Sequence, residues 1–369
     1  MNYYGNRYNE QYIYKRVSFD NFMEHEEYPW ITDGNLEFSE EAELKVTGSL
    51  NFEGPQLPST KDLMRVYYSF TDDAGEKATL PLATLFVGYN NVTHVAKGAV
   101  IKSKGTLNAS SVLSVLQKDK TGTAYAVNKN SNIIYVAQEI VRAHGLNVDY
   151  TPSISVLDSD HTWQAGTNYL EIVNWLLQTA GYADAFPDNM GTVILKPLSE
   201  IQSVTPIIFK NDKNSIMYPE IEVENNIDET PNVVRLMYNV EDMCITATAK
   251  NLSGSSASLD IRGGRETTEY EDVGELSATT SKLTALIDMA EAKLRDISKD
   301  VEYVQYQHGY IPITLYQPIT VDYSDFTWTG NVTVYTVELN PSAKVQTKIV
   351  RELTRNIEIE KNGEILRGE

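Results

Sequence analysis

The sequence predicts a β-rich α+β protein. Three observations carry this: apolar and polar residues alternate over 36–101, helical periodicity takes over from about 131, and alternation returns from about 205, interrupted by one long helix. Short alternating runs separated by polar turns predict antiparallel sandwiches or barrels. The order β, α/β, β sets expected boundaries at 1–105, 106–204 and 205–369.

In the first region, "AELKVTGSLNF" places Leu44 and Val46 on one side of a strand, and Gly48 predicts a bulge or bend. "DLMRVYYSF" alternates Met64, Val66, Tyr68 and Phe70 with Arg65, Tyr67 and Ser69, the period of a half-buried strand. "TDDAGE" supplies a turn, after which Leu80, Leu82, Thr84 and Phe86 share a face.

In the middle region, "SNIIYVAQEIVRAHG" sets Ile133, Ala137, Ile140, Val141 and His144 on one helical face, with Gly145 as the stop. "NYLEIVNWLLQTAGYADAFPDNMGTVILKP" opens on Asn168 as an N-cap, with Glu171 three residues on. Leu170, Val173, Leu177 and Ala180 form its inner stripe. Ile172, Trp175 and Leu176 widen it, so Trp175 and Leu176 are expected to be buried. Gly181 ends the helix, "FPDNMG" turns and "TVILKP" reads as a strand. No repeat of 20 to 50 residues is visible along the chain.

In the last region, "TPNVVRLMYNV" alternates Val234, Leu236, Tyr238 and Val240 after a Pro-Asn entry. "SKLTALIDMAEAKLRDIS" predicts a helix over about 280–298, with Leu283, Leu286, Ile287, Ala290, Leu294 and Ile297 inward. Alternation then resumes through 301–352, and the tail "TRNIEIEKNGEILRGE" predicts an edge hairpin turning at "KNGE".

Composition excludes several classes. With 51 acidic and 31 basic side chains the net charge is −20, so the chain lacks the clustered cations that grip phosphates. Cys244 is the only cysteine, which leaves no intrachain disulfide and no cysteine-based zinc site. The N-terminal stretch has no apolar run of a signal peptide, and no segment reaches the roughly 18 apolar residues of a spanning helix, so no membrane anchor is expected. The sequons at Asn91, Asn108, Asn251 and Asn331 are attributed to chance.

Catalytic signals are absent. The five histidines are scattered, and "DSDHTW" (Asp158, Asp160, His161) reads as a solvated loop before a metal or acid–base site. "GGR" at 263–265 is a turn and lacks the context of a phosphate loop. Carboxylates are abundant, but no spacing singles out a pair, and no serine sits in a nucleophile elbow. Cys244 occupies an alternating β segment. No catalytic, cofactor-binding or metal-binding residue is nominated, and no cofactor is expected.

Three stretches resemble the tail-hub family of long-tailed bacteriophages. They are "AELKVTGSLNFEG…KDLMRVYYSF…LPLATLFV" with its arginine-bearing strand, the helical stretch at 168–197, and "ETPNVVRLMYNV" followed by "GYIPITLYQPITVDY" and "GNVTVYTVEL". They span 36–340 in the family's order. The resemblance implies two tube-like antiparallel β-barrel domains with an α/β insert between them. It implies a homotrimer whose six barrels present pseudo-sixfold symmetry to the tail tube. The expected role is a structural virion protein at the tail tip, made in the host cytoplasm and joined to a distal tail or tail tube protein and to tail-tip, fibre or lysin proteins. Ejected DNA would pass through it without stable binding.

In such a ring, polar residues interleaved on a strand are the lumen candidates: Glu43, Lys45, Thr47 and Ser49, then Thr320 and Asp322, or Thr333 and Tyr335. Two alternatives stay open. One is the hub portion of a tail-associated wall-degrading enzyme, although the chain ends at 369 with no room for a peptidase or muramidase domain. The other is a baseplate component that binds host saccharide through "DYSDFTWTGN", where Trp328 otherwise reads as a hairpin tip packed on a neighbouring subunit.

Overall fold

The computed structural model describes residues 7–97, 100–212, 216–224, 230–240, 243–273, 282–298, 300–340, 344–352 and 357–367. The elements run β1 (Tyr8–Val17), β2 (Glu24–Glu27), β3 (Ile31–Ser39), β4 (Val46–Gly54), β5 (Leu63–Thr71), β6 (Lys77–Lys97) and β7 (Val100–Ser111). Then come α1 (Ser114–Lys118), β8 (Tyr125–Val127), α2 (Ile133–Ala143), β9 (Val148–Tyr150), β10 (His161–Trp163), α3 (Tyr169–Thr179), β11 (Phe186–Pro187), β12 (Val193–Leu195) and α4 (Leu198–Gln202). The last part holds β13 (Ile207–Lys210), β14 (Met217–Glu224), β15 (Val233–Val240), β16 (Met243–Ser253), β17 (Thr268–Asp272), α5 (Lys282–Ile297), β18 (Val301–Gly309), β19 (Pro318–Tyr323), β20 (Phe326–Glu338), β21 (Lys344–Glu352) and β22 (Glu358–Arg367). The protein is thus a β-rich α+β chain. It divides into two compact units, one reaching to Glu222 and taking up Gln305–Ile349, the other formed by Val223–Val304 and the residues from Val350 on.

The first unit is organised by a large sheet with the strand order β14-β18-β21-β20-β3-β4-β7-β6-β5-β1-β2, to which β19 and β13 attach through β20. Strands from both ends of the chain meet where β20 pairs antiparallel with β3, Tyr335 opposite Phe38. Those two rings stack at 4.1 Å. β5 is buried on both faces, not one, and on the second face Arg65 meets the turn before β12 while Ser69 Oγ donates to Ala78 O. The run Leu80–Phe86 does not keep one face either. The register shifts between Val66 and Tyr67 of β5, inserting Leu82 as an extra residue between Pro81 and Ala83.

His308 lies fully buried in this unit. Its Nδ1–H donates to Gly309 O at 2.8 Å and its Nε2 accepts from the Thr347 hydroxyl at 2.8 Å. Burial pushes its pKa down to about 4, so the ring is neutral.

The α/β segment contains a duplication that the sequence reading did not detect. Asn132 and Asn168, and Gly145 and Gly181, lie 36 positions apart. Each Asn caps a helix through its side-chain oxygen, accepting from Tyr135 N and Glu171 N, and each Gly follows the helix with positive φ. β8 and β10 pair about a pseudo-twofold centred on Ala126 and Thr162. The halves exchange bonds reciprocally: Thr121 N donates to Thr167 O at 3.0 Å, and Leu157 N donates to Ser131 O at 3.1 Å. Apart from Asn and Gly the halves match mostly in apolar character (Ile134 and Leu170, Ile140 and Leu176), and identity alone does not reveal this. Their buried stripes form one core. Leu176 is buried as expected, while Trp175 is only partly buried and packs against its edge.

In the second unit the sheet order is β17-β15-β16-β22. Leu286, Ala290 and Leu294 of α5 pack on Val234, Leu236, Ile245, Ala247 and Ala249. The helix falls in the expected place, its predicted start near 280 lying outside the described residues. The tail corrects another expectation. "KNGE" is no turn but the middle of β22, which pairs with β16 throughout. A Cβ on Gly363 would stand 2.8 Å from Thr246 O and 2.9 Å from Leu283 Cδ1, so this glycine admits the helix onto the sheet. Asn232 anchors the 251–267 loop: its amide donates to Ala257 O and Arg265 O, and its oxygen accepts from Thr267 N.

Candidate functional site

The first unit carries a continuous polar sheet face. One cross-strand row runs Glu338, Asn35, Ser49 and Asn108; the next runs Thr336, Glu37, Thr47 and Ser110; a third runs Asp33, Asn51 and Thr106. The intervening residues Leu36, Phe38, Leu50, Leu107, Tyr335 and Val337 are buried on the opposite side, so alternation alone fixes this face. Ser49 Oγ donates to Asn35 Oδ1 at 2.8 Å, Asn51 Nδ2 to Asp33 Oδ1 at 2.5 Å, and Thr106 Oγ1 to Asn51 Oδ1 at 3.0 Å. The strands approach so closely that a Cβ on Gly48 would lie 2.1 Å from Asn35 O. Gly48 therefore marks close strand contact instead of the expected bulge. These three rows hold carboxylates, amides and hydroxyls and no Lys or Arg.

A second polar face lies in the other unit, opposite α5. Thr246 faces Glu364, Thr248 faces Asn362 and Lys250 faces Glu360 across β16 and β22. Arg235 reaches Glu266 at 3.4 Å and Lys250 reaches it at 2.5 Å. The hydrogen bond from Lys250 holds the Glu266 carboxyl below the usual carboxylate range. Cys244 shares this face, opposite Leu366, as a partly exposed sheet residue.

The sequence candidates divide accordingly. Thr47 and Ser49 lie on the first face. Thr320 and Asp322 share one side of the β19–β20 hairpin, where Thr320 Oγ1 meets Thr329 Oγ1 at 2.9 Å. Thr333 is partly exposed. Glu43 precedes β4 and accepts from Gln117. Lys45 is no wall residue. It sits before the strand with φ of +60°, is 2% exposed, and extends its ammonium to Glu40 O and to Asp184 Oδ2 at 3.1 Å. Tyr335 belongs to the core, because the buried phase of β20 shifts between Val332 and Tyr335.

Other singled-out residues are structural. Asp160 accepts from Lys129 N at 2.7 Å, and His161 stacks on Trp175 at 4.0 Å. Trp328 stacks with Phe326 near the tip of the β19–β20 hairpin, and Phe326 is 61% exposed. Sequence reasoning missed the role of Arg65. Its guanidinium is buried and donates to Thr84 Oγ1 at 2.9 Å, Glu24 Oε1 at 2.8 Å and Met190 O at 3.0 Å. It thereby ties β2, β5 and β6 to the turn before β12. Burial alone would raise the Glu24 pKa, but hydrogen bonds from Tyr67, Lys15 and Arg65 outweigh it and hold the carboxyl down at about 2.

Comparison with solved structures places this architecture. The 43 kDa tail protein of prophage MuSo2 from Shewanella oneidensis superposes with a TM-score of 0.62 at 12% identity, over 92% of this chain and 98% of that one. The chain has a phage tail-protein fold. A tail protein from Neisseria meningitidis shares it, with a TM-score of 0.60 at 11% identity over 92% of this chain and 97% of that one. A chain of the Francisella PdpA–VgrG complex matches at 0.55 and 10% identity over 93% of this chain and 52% of that one. At these identities the likeness of the tail-protein fold is one of architecture. No protein-family model matches the sequence, and no curated protein matches it.

Proposed function

We propose that this protein is a structural tail hub, a homotrimer at the distal end of the tail tube with no catalytic role. The observation that carries the reading is a polar sheet face in each unit, without a continuous basic track among the described residues, on a chain whose fold matches a phage tail protein over 92% of its length. In this reading residues 1–105 and 205–369 supply two barrel-like domains with 106–204 inserted between them in sequence, and the strands within Gln305–Ile349 cross over to complete the first compact unit. Three chains then contribute six polar faces to a channel that matches a sixfold tube. A wall of carboxylates, amides and hydroxyls, whose cations Arg235 and Lys250 are paired with Glu266, lets a polyanion pass without holding it. The ring sits in the virion between a distal tail or tail tube protein and the tail-tip, fibre or lysin proteins, after synthesis in the host cytoplasm.

Light scattering and native mass spectrometry test the assembly, alone and with its tail neighbours: a trimer is expected, and a stable dimer or hexamer overturns the reading. A duplex-DNA titration tests the channel. Weak binding that disappears with salt is expected, whereas micromolar binding at physiological salt would contradict the conduit. The stacked Phe326–Trp328 pair, with Phe326 exposed and Trp328 partly so, supports a second reading, contact with host saccharide at the hairpin tip. Glycan-array binding lost in Phe326→Ala would favour it.

A further inference from the structure

The distribution of charge points to a specific contact between copies. From Lys77 to Lys118 the sequence contains no Asp or Glu, in a chain with 51 of them. That stretch is the β6–β7 hairpin and its exit. β5 accompanies β6 only to Phe86, and β4 accompanies β7 only to Ser103, while the two hairpin strands stay paired with each other well beyond. The distal ribbon therefore has an outer β6 edge without a neighbour among the described residues. Its side chains Tyr89, Asn91, His94, Val95 and Lys102 are exposed, as is Lys104 at the point where β4 ends, opposite Glu53. Lys102 Nζ lies 3.9 Å from Glu53 Oε1, an ion pair whose two side chains are both more than half exposed and open to exchange.

At one end of the large sheet lies the opposite character. β14 terminates the strand order, its residues after Met217 are mostly exposed, and it carries Glu220 and Glu222. These carboxylates line a recess of about 440 Å³ with Gln305, Gln307 and Gln346. Glu222 accepts there from an amide, Gln305 Nε2 at 3.3 Å. The acidic strand at the other end, β2, differs, because Lys15, Arg16 and Arg65 of the same chain pair with Glu24 and Glu26.

We propose that the basic β6–β7 ribbon of one copy docks on the acidic β14 edge of the next, with Lys102 and Lys104 directed at the Glu220–Glu222 recess. The occupant is a second copy of this chain. The charges are complementary, and both edges expose the unpaired strand groups that native sheets normally cover. The contact is heterologous, ribbon to edge, which is the type that closes into a ring. It rests on the trimer reading and names the surfaces that would build it.

The test is charge reversal in the full chain, read by light scattering and sedimentation, with circular dichroism and melting confirming the fold of each variant. Lys102→Glu with Lys104→Glu should raise the dissociation constant of the assembly by roughly 100-fold, since like charges face each other at the contact. Glu220→Lys with Glu222→Lys should do the same. All four changes in one chain should restore assembly. Added salt should weaken the wild-type association. A wild-type trimer indifferent to either reversal would overturn this contact and leave the trimer reading standing. A wild type that stays monomeric alone and with its tail neighbours would overturn both. Assembly unaffected by the lysine reversals while DNA binding falls would assign the ribbon to nucleic acid and likewise overturn the proposal.

Discussion

Replacing Arg65 with Met removes the three donors that join β2, β5 and β6 to the turn before β12. The magnitude follows from what is left behind. Thr84 keeps its own bond to Asn189 O at 3.1 Å, but Met190 O loses its donor, and Glu24 retains Lys15 at 3.0 Å and the Tyr67 hydroxyl. Stripping one partner from a buried ion pair costs about 3–5 kcal/mol. Because the Glu24 side chain is 29% exposed and keeps a second cation, the lower end applies, about 3 kcal/mol. Arg65→Lys, which keeps the charge but cannot span three acceptors, should cost about 1–2 kcal/mol. Urea unfolding monitored by tryptophan fluorescence measures both. The pH dependence supplies a signature. Glu24 is held down at about 2, so its contribution is complete above the ordinary carboxylate range and disappears as pH falls from about 4.5 toward 2. The gap between wild type and Arg65→Met should narrow across that window. A Met variant within about 0.5 kcal/mol of wild type at neutral pH would refute the assignment of Arg65 as the tie.

Three further outcomes are expected. His308 stays neutral in the folded chain down to about pH 4, whereas an unfolded histidine binds its proton near 6.5, so wild-type stability should fall as pH drops between those values. His308→Gln should flatten that slope in a melting series. Gly363→Val should destabilise the second unit by roughly 1–3 kcal/mol, because its side chain would meet Thr246 O and Leu283, and limited proteolysis should then cut within 223–304 first. Asn132→Ala and Asn168→Ala should each cost about 1 kcal/mol in calorimetry, and similar losses at both would confirm equivalent caps in the duplicated halves.

The helices were legible because cap, apolar stripe and stop glycine are all local in sequence: Asn168, Leu170–Leu177 and Gly181 specify α3 without reference to anything distant. The β4 part of the polar face was legible for the same reason, since period-two alternation carries Thr47 and Ser49 outward. The errors arise where a distant partner resets the phase. Lys45 looks like the next outward residue, yet a left-handed backbone at that position ends the strand pattern and sends the side chain to Asp184. Tyr335 looks like the companion of Thr333, yet β20 shifts phase where it turns from β19 toward β3. "KNGE" has the composition of a turn, and only the helix lying across Gly363 shows why a glycine belongs in mid-strand. Arg65 appears on an alternating strand as a solvent-facing residue. Its role comes from a turn more than a hundred positions away.

The reciprocal bonds inside the α/β segment bear on how such a module could arise. Thr121 is completed by Thr167, and Ser131 by Leu157, so neither half closes its own loop. A peptide holding a single half would leave those amide and carbonyl groups unanswered, and it would satisfy them only by meeting a twin. Joining two halves in one reading frame turns that meeting from a bimolecular event, dependent on concentration, into one that the linker holds at a high effective concentration. Descent from a homodimer would also explain why sequence identity between the halves has faded almost everywhere except at the two asparagines and the two glycines. Those are the positions where backbone geometry, not packing volume, dictates the residue.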